Sequence, residues 1–332
     1  MRRALPLLLT LLIAATPARA QTYPDKPPPE ADGSSLVHVA DNLADPSLFS
    51  VDPLVLQLYG TGGHGTRFGP RGATMTTGYP DTYRPALKRV PWADPGRDVW
   101  APTVYRFTSR KGTGYGMYFT APRADTGQHC LGTAKAAAAN GPFRPTKKLW
   151  CAPGDLEAID PTVVDANGLR YVVFKTSDHN RAPFTISALP MLGRNGLTFS
   201  PQAPTTILSG STMMENPSFV AHAGTVWMFL SRASFSTCDY YTDAWSSATF
   251  PGTFVARRRI TSRRLTRQAQ GRPGGPGLCG PGGAAVSPDP IGGVYRIVLH
   301  AYHKVTDPRA GDRRDAYLGS LLFDAAGVPY VD

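Results

Sequence analysis

The chain shows almost no helical periodicity. The alanine run at 136–139 has high helix propensity but no amphipathic face. Beyond about residue 35 the dominant pattern is short apolar runs, four to eight residues long, bounded by Gly, Pro, Asn and Asp. Runs of that length with those boundaries predict β-strands.

The runs repeat. Asp45-Pro46-Ser47, Ala101-Pro102-Thr103, Asp160-Pro161-Thr162 and Asn216-Pro217-Ser218 each lead into apolar residues, and Gly280-Pro281-Gly282 is a degenerate fifth copy. The prolines are separated by 56, 59, 56 and 64 residues. A second apolar run follows each copy: Leu54–Tyr59, Tyr115–Phe119, Tyr171–Phe174, Val226–Leu230 and Tyr295–Leu299. About thirty residues then remain per unit, with room for two more strands. A period near this length signals a repeat architecture, and radial four-stranded units are propeller blades. Five copies predict an all-β, five-bladed β-propeller. The alternative is a β-sandwich with accidental proline spacing, and the recurrence of the proline argues against accident. Proline lacks a backbone donor and is tolerated at a strand's first residue. Each proline therefore marks the start of an innermost strand, and the residue before it lies at one common end, near the axis.

Residues 1–20 have a different character. Arg2 and Arg3 precede a mostly apolar stretch too short to span a bilayer, and Ala18-Arg19-Ala20 has the form of a cleavage site. This is the pattern of a secretory signal peptide. Residues 21–35, with Pro24, Pro27, Pro28 and Pro29, read as an extended leader, leaving 36–332 as a single propeller domain. No apolar run reaches the ~18 residues of a membrane span. Export permits disulfides. Of three possible pairings, Cys130–Cys151 and Cys238–Cys279 each close one local loop, and without a C-x-x-C spacing a zinc site is not expected.

The net charge is +11 for the full chain and +8 once residues 1–20, with their three arginines, are removed. Much of the excess is local, with seven arginines from Arg257 to Arg272. The segment reads first as a charged hairpin edge that resists edge-to-edge pairing. The alternative is a patch for an acidic polymer such as pectin; nucleic acid is not an expected partner of an exported protein.

The inferred geometry gathers three acids. Asp45 and Asp160 precede their prolines, and Glu215 lies two residues before Pro217. Three carboxylates are costly to ionise together, and perturbed acids concentrate at functional sites. Paired carboxyls suit glycoside hydrolysis. A calcium site and simple Asx-type strand caps are the alternatives.

The ordered set Ala44-Asp45-Pro46-Ser47-Leu48, Tyr59-Gly60-Thr61-Gly62, Trp100-Ala101-Pro102, Gly141-Pro142-Phe143, Ile159-Asp160-Pro161, Glu215-Asn216-Pro217-Ser218 and Leu299-His300-Ala301-Tyr302 resembles glycoside hydrolase family 43. That family comprises five-bladed propeller arabinanases, arabinofuranosidases and xylosidases. The resemblance spans about residues 40–330. It implies an inverting hydrolase in which Asp45 is the general base, Glu215 the general acid and Asp160 the acid that tunes and orients the proton donor. Trp100 matches an aromatic beside the sugar subsite, and His300 an axial histidine that contacts a central ion or water. No cofactor is required, and a structural calcium at the axis is the one ion the resemblance leaves open. The expected partner is a polysaccharide or oligosaccharide rich in arabinose or xylose; no membrane and a monomeric state are expected. Asn216 stands where the family usually has Gly, Thr103 where it often has Asp, and the fifth copy lacks an acid in register. A glycan-binding lectin propeller and a retaining hydrolase are the rival readings.

Other motifs carry less. Gly60-Thr61-Gly62-Gly63-His64-Gly65 lacks the Lys-Ser/Thr of a phosphate loop and reads as a tight loop. Gly112, Gly114 and Gly116 precede no helical pattern, so a dinucleotide site is dismissed. His300 and His303, three apart on a strand, face opposite sides and make no shared metal site; His300 reads first as a satisfied core histidine and second as a contact to calcium or water. Tyr240 and Tyr241 read as packing residues rather than as the rim of a pocket.

Overall fold

The computed structural model describes residues 35–331 except 53–54, 63–70, 76–83, 111, 262–265, 268–276, 292, 303–307 and 310–311. Residues 1–20, read above as a signal peptide, nearly all of residues 21–35, His64, His303, Arg263, Arg264 and Arg272 lie outside the described residues.

The described residues are all β, in five sheets built in chain order, antiparallel throughout except where Thr266–Arg267 pairs parallel with Ser35–Ala40. Sheet 1 runs Ser47–Asp52, Val55–Gly60, Arg71–Met75, Arg84–Pro85. Sheet 2 runs Trp100–Ser109, Gly112–Pro122, His129–Ala136, Arg144–Trp150. Sheet 3 begins Glu157–Ala166, Leu169–Asp178, Arg181–Leu192, and both Thr198–Phe199 and Thr205–Gly210 pair with the last of these. Sheet 4 runs Met214–His222, Thr225–Arg232, Tyr241–Ser247, Val255–Arg259. Sheet 5 runs Cys279–Val286, Tyr295–Tyr302, Arg314–Phe323, and its next strand is Ser35–Ala40 from the other end of the described chain.

The first strand of each sheet touches the first strand of the next, and Cys279–Val286 returns to Ser47–Asp52. The apolar cores lie between sheets. Leu48 and Leu58 meet Val298; Tyr59 meets Val104 and Phe119; Tyr118 meets Val172 and Leu189; Val173 meets Met228 and Trp245; Phe229 meets Ile297 and Tyr317. This is a propeller-like arrangement. It explains why each second strand is a nearly unbroken apolar run: with a neighbouring sheet on both faces, neither face can be polar. Burying one such aromatic or aliphatic side chain contributes roughly 1.5–3 kcal/mol.

The residue before each repeat proline has positive φ: Asp45 at 46°, Ala101 at 42°, Asp160 at 57°, Asn216 at 52° and Gly280 at 62°. Asp, Asn and Gly tolerate this left-handed region better than most residues. Pro46 stands just before its strand, as expected, but the other four prolines lie inside theirs, each where the ladder register slips. A bulge accommodates a residue without an N–H and re-aims neighbouring side chains.

Disulfides join Cys130 to Cys151 and Cys238 to Cys279, as fits an oxidising compartment. Arg257, Arg258 and Arg259 lie on the outermost strand of sheet 4, with Arg258 paired to Asp324 at 2.8 Å and Arg259 stacked 3.6 Å over Tyr241.

Candidate functional site

The bulged ends of the inner strands open into a cavity of about 580 Å³ that Asp45, Asp160, Glu215 and Trp100 all line. Its volume lies in the usual range for small-molecule sites, roughly 300–1,000 Å³.

Asp45 is held on three sides. Its backbone N–H donates to His300 Nδ1 at 2.9 Å, the Thr61 hydroxyl donates to Oδ2, and Arg314 Nη1 lies 3.1 Å from Oδ1. Thr61 Oγ1 also accepts the Ala101 N–H at 3.1 Å, which ties sheet 1 to sheet 2. Burial works to raise the Asp45 pKa, but the Arg314 charge and the hydrogen bonds outweigh it and hold the group below the ordinary carboxylate value. Asp45 is thus kept ionised.

Asp160 is the opposite case. Burial, and then the negative charge of Glu215, push its pKa up to about 8. Its Oδ2 accepts the Asn216 N–H at 3.0 Å, which links sheets 3 and 4. Glu215 is gripped at both oxygens: Lys175 Nζ lies 3.0 Å from Oε2, and the Tyr240 hydroxyl donates to Oε1 at 2.9 Å. Near neutral pH the site therefore combines an ionised carboxylate with a protonated one, the division of labour that acid–base chemistry needs.

Trp100 stacks on His129 with ring centroids 3.9 Å apart. His129 Nδ1 and His179 Nδ1 lie 2.7 and 3.1 Å from the same oxygen of Glu157. Burial works to raise the Glu157 pKa, but these two imidazoles bring it below its ordinary value.

His300 stands as a satisfied core histidine. The ring is fully buried, and burial followed by the Arg314 charge pushes its pKa down to about 3, so it stays neutral. Its Nδ1 accepts the Asp45 amide, and its Nε2 stands 3.4 Å from Arg314 Nη1. A divalent cation at Nε2 would meet a guanidinium, and the Asp45 carboxylate is already engaged. These residues do not fit a calcium here; His300 anchors Asp45 instead.

The sequence assigns no role to Lys175, Arg314 or Thr61, and it reads Tyr240 as a packing residue. Tyr240 is indeed buried, but it also binds Glu215 and lines the cavity. A signal existed for Lys175, a cation directly after the apolar run Tyr171–Phe174. Arg314 had none, since Asp312-Arg313-Arg314-Asp315 reads as a solvated charge run. The glycines of the degenerate fifth copy also gain a reason. A Cβ on Gly282 would lie 2.4 Å from the Tyr240 ring, and one on Gly283 2.5 Å from His300. Larger residues would displace both rings.

The family model for glycosyl hydrolases family 43 matches residues 78–329. No curated protein matches the chain in sequence. Among solved structures, a thermostable family-43 glycoside hydrolase aligns with TM-score 0.72 and 20% identity, covering 90% of this chain and 96% of the other. An endo-1,4-beta-xylanase from Bacteroides thetaiotaomicron VPI-5482 aligns with TM-score 0.67 and 19% identity, over 90% and 97%. An alpha-L-arabinofuranosidase from Lactobacillus brevis aligns with TM-score 0.64 and 14% identity, over 87% and 93%.

Proposed function

The chain belongs to glycosyl hydrolases family 43, and from that premise we propose that it is an exported, inverting glycosidase of arabinose- or xylose-containing plant polysaccharide. An α-L-arabinofuranosidase or arabinanase activity is the reading we carry. The proposed scaffold is a single five-bladed propeller, supported by the five cores between consecutive sheets.

The observation that carries this reading is the unequal treatment of carboxyls around one cavity. Asp45, held ionised by Arg314 and Thr61, takes a proton from water as that water attacks the anomeric carbon. Asp160 holds a proton near neutral pH and stands beside Glu215. In the scheme implied by the family resemblance, Glu215 delivers a proton to the leaving oxygen and Asp160 tunes and orients the donor. Trp100 offers a ring face to the sugar. The relatives named above are called a xylanase and an arabinofuranosidase, which supports a pentose-containing substrate.

The test is a panel of aryl α-L-arabinofuranosides, aryl β-xylosides, linear arabinan and arabinoxylan, with product sizing and proton NMR of the first-formed anomer. An inverted product, lost with Asp45→Asn or Glu215→Gln, is expected. General acid–base groups contribute about 10²–10⁴-fold each. Glycan binding without cleavage of any substrate would make the protein a lectin. A retained anomer would replace the water-activating base with a nucleophile.

A further inference from the structure

The acid–base scheme gives Lys175 no task, yet the fold buries it completely. Lysine is almost never fully buried without a partner. Its cross-strand neighbours in sheet 3, Ile159 and Ile186, are apolar. Its ammonium lies 3.5 Å from Met213 Sδ and 5.4 Å from the Phe184 ring centroid. The anion it meets is Glu215, from the next sheet, at 3.0 Å.

The groups facing Glu215 come from several directions. Lys175 approaches from the second strand of sheet 3, Asp160 from the first, and Tyr240 from the segment before the third strand of sheet 4. The charges of Asp45 and Arg314 act on the same cluster. His300 is neutral and offers no charge. Within this cluster, among the described residues, three carboxylates, Asp45, Asp160 and Glu215, stand against two cations, Arg314 and Lys175; Arg97, Asp98, Glu157 and Asp312 line the same cavity around it.

We propose that Lys175 is a positioning residue that sets the proton count of this cluster at one. Arg314 balances Asp45, Lys175 balances Glu215, and the uncompensated third carboxylate must bind a proton to remain buried. An inverting hydrolase needs an ionised base and a protonated acid: a count of zero leaves no acid and a count of three no base, and a single proton on the Asp160–Glu215 side with Asp45 ionised meets both needs. The raised pKa of Asp160 agrees with the count. The inference rests on the acid–base reading for its purpose, but the count itself is a property of the ligand-free protein.

That property allows a test separate from activity. The full chain, ¹³C-labelled at Asp and Glu carboxyls, is titrated by NMR, with Asp45, Asp160 and Glu215 assigned by Asp→Asn and Glu→Gln substitutions. At about pH 6 the wild type should carry one protonated carboxyl among the three. Folded Lys175→Met should carry two, and Lys175→Arg one. In the pH–rate profile, the alkaline limb of Lys175→Met should move up by about one unit or more, with Lys175→Arg restoring it. A wild-type count of zero or two overturns the proposal without any variant. An unchanged count and profile in folded Lys175→Met overturns it as well. Should no glycoside be cleaved, the functional proposal fails while the NMR count still decides the role of Lys175.

Discussion

The backbone amide of Asp45 donates to Nδ1 of His300 at 2.9 Å, joining residues 255 positions apart. The same imidazole stacks on Tyr240 at an interplanar angle of 13°, and the Tyr240 hydroxyl reaches Glu215. One rigid path of two rings therefore relates the two carboxyls proposed as base and acid. The two glycines of the fifth repeat give those rings their space.

Breaking this path should misplace Asp45 without removing it. His300→Ala leaves the Asp45 amide without its acceptor and opens a void beneath the loop. A displacement of about 1 Å at a reacting group costs on the order of 10²-fold in rate. We expect kcat to fall by roughly that factor with KM little changed. A steady-state comparison with wild type on the best aryl glycoside checks it; a loss confined to KM would contradict the anchoring role.

Asp160 should make the protein less stable as pH rises. In the folded chain it keeps its proton to about pH 8, whereas its ordinary value is 3.8. Between those values the unfolded chain has released a proton that the folded chain still holds. The stabilisation present at low pH is therefore lost progressively as pH rises toward 8. Asp160→Asn removes this dependence and should raise stability at pH 8 by about 1–3 kcal/mol while reducing hydrolysis. Urea midpoints at pH 5 and pH 8 for both proteins measure the effect. An equal pH dependence in the variant would refute it.

The Cys238–Cys279 disulfide closes a separation of 41 residues and flanks Tyr240. Loop-closure entropy assigns a cross-link of that span about 4 kcal/mol, and measured values run about 2–4 kcal/mol. The double Cys→Ser variant should melt several degrees lower and lose activity at temperatures where wild type is still folded. Differential scanning calorimetry alongside rate measurements checks both effects.

Leu36 tests the closure of the ring. It is fully buried on the Ser35–Ala40 strand, in the core between sheets 4 and 5. That strand pairs with Arg314–Phe323, which carries the cation facing Asp45. Leu36→Ala should cost about 2–5 kcal/mol. Because the site is shared among sheets, activity should vanish in the same thermal transition as the fold. Separate transitions would show that the closing strand is independent of the site.

Much of this architecture was legible in the residues themselves. Apolar runs set strand positions because a strand between two neighbouring sheets must be apolar on both faces. The proline repeat marked the inner strands because a residue without an N–H must sit where the ladder is already interrupted. For the same reason the repeat alone places Asp45, Asp160 and Glu215 together, and all three line one cavity. What surrounds them was decided by tertiary structure alone. Arg314 reaches Asp45 across 269 positions and Lys175 reaches Glu215 across 40, each from a different sheet. His300 accepts the Asp45 amide and stands beside Arg314, a setting that residues 255 and 14 positions away supply. Local chemistry determines where a chain must extend or bulge. Which charges meet, and which carboxyl keeps its proton, depends on distances that exist only once the sheets have closed around one axis.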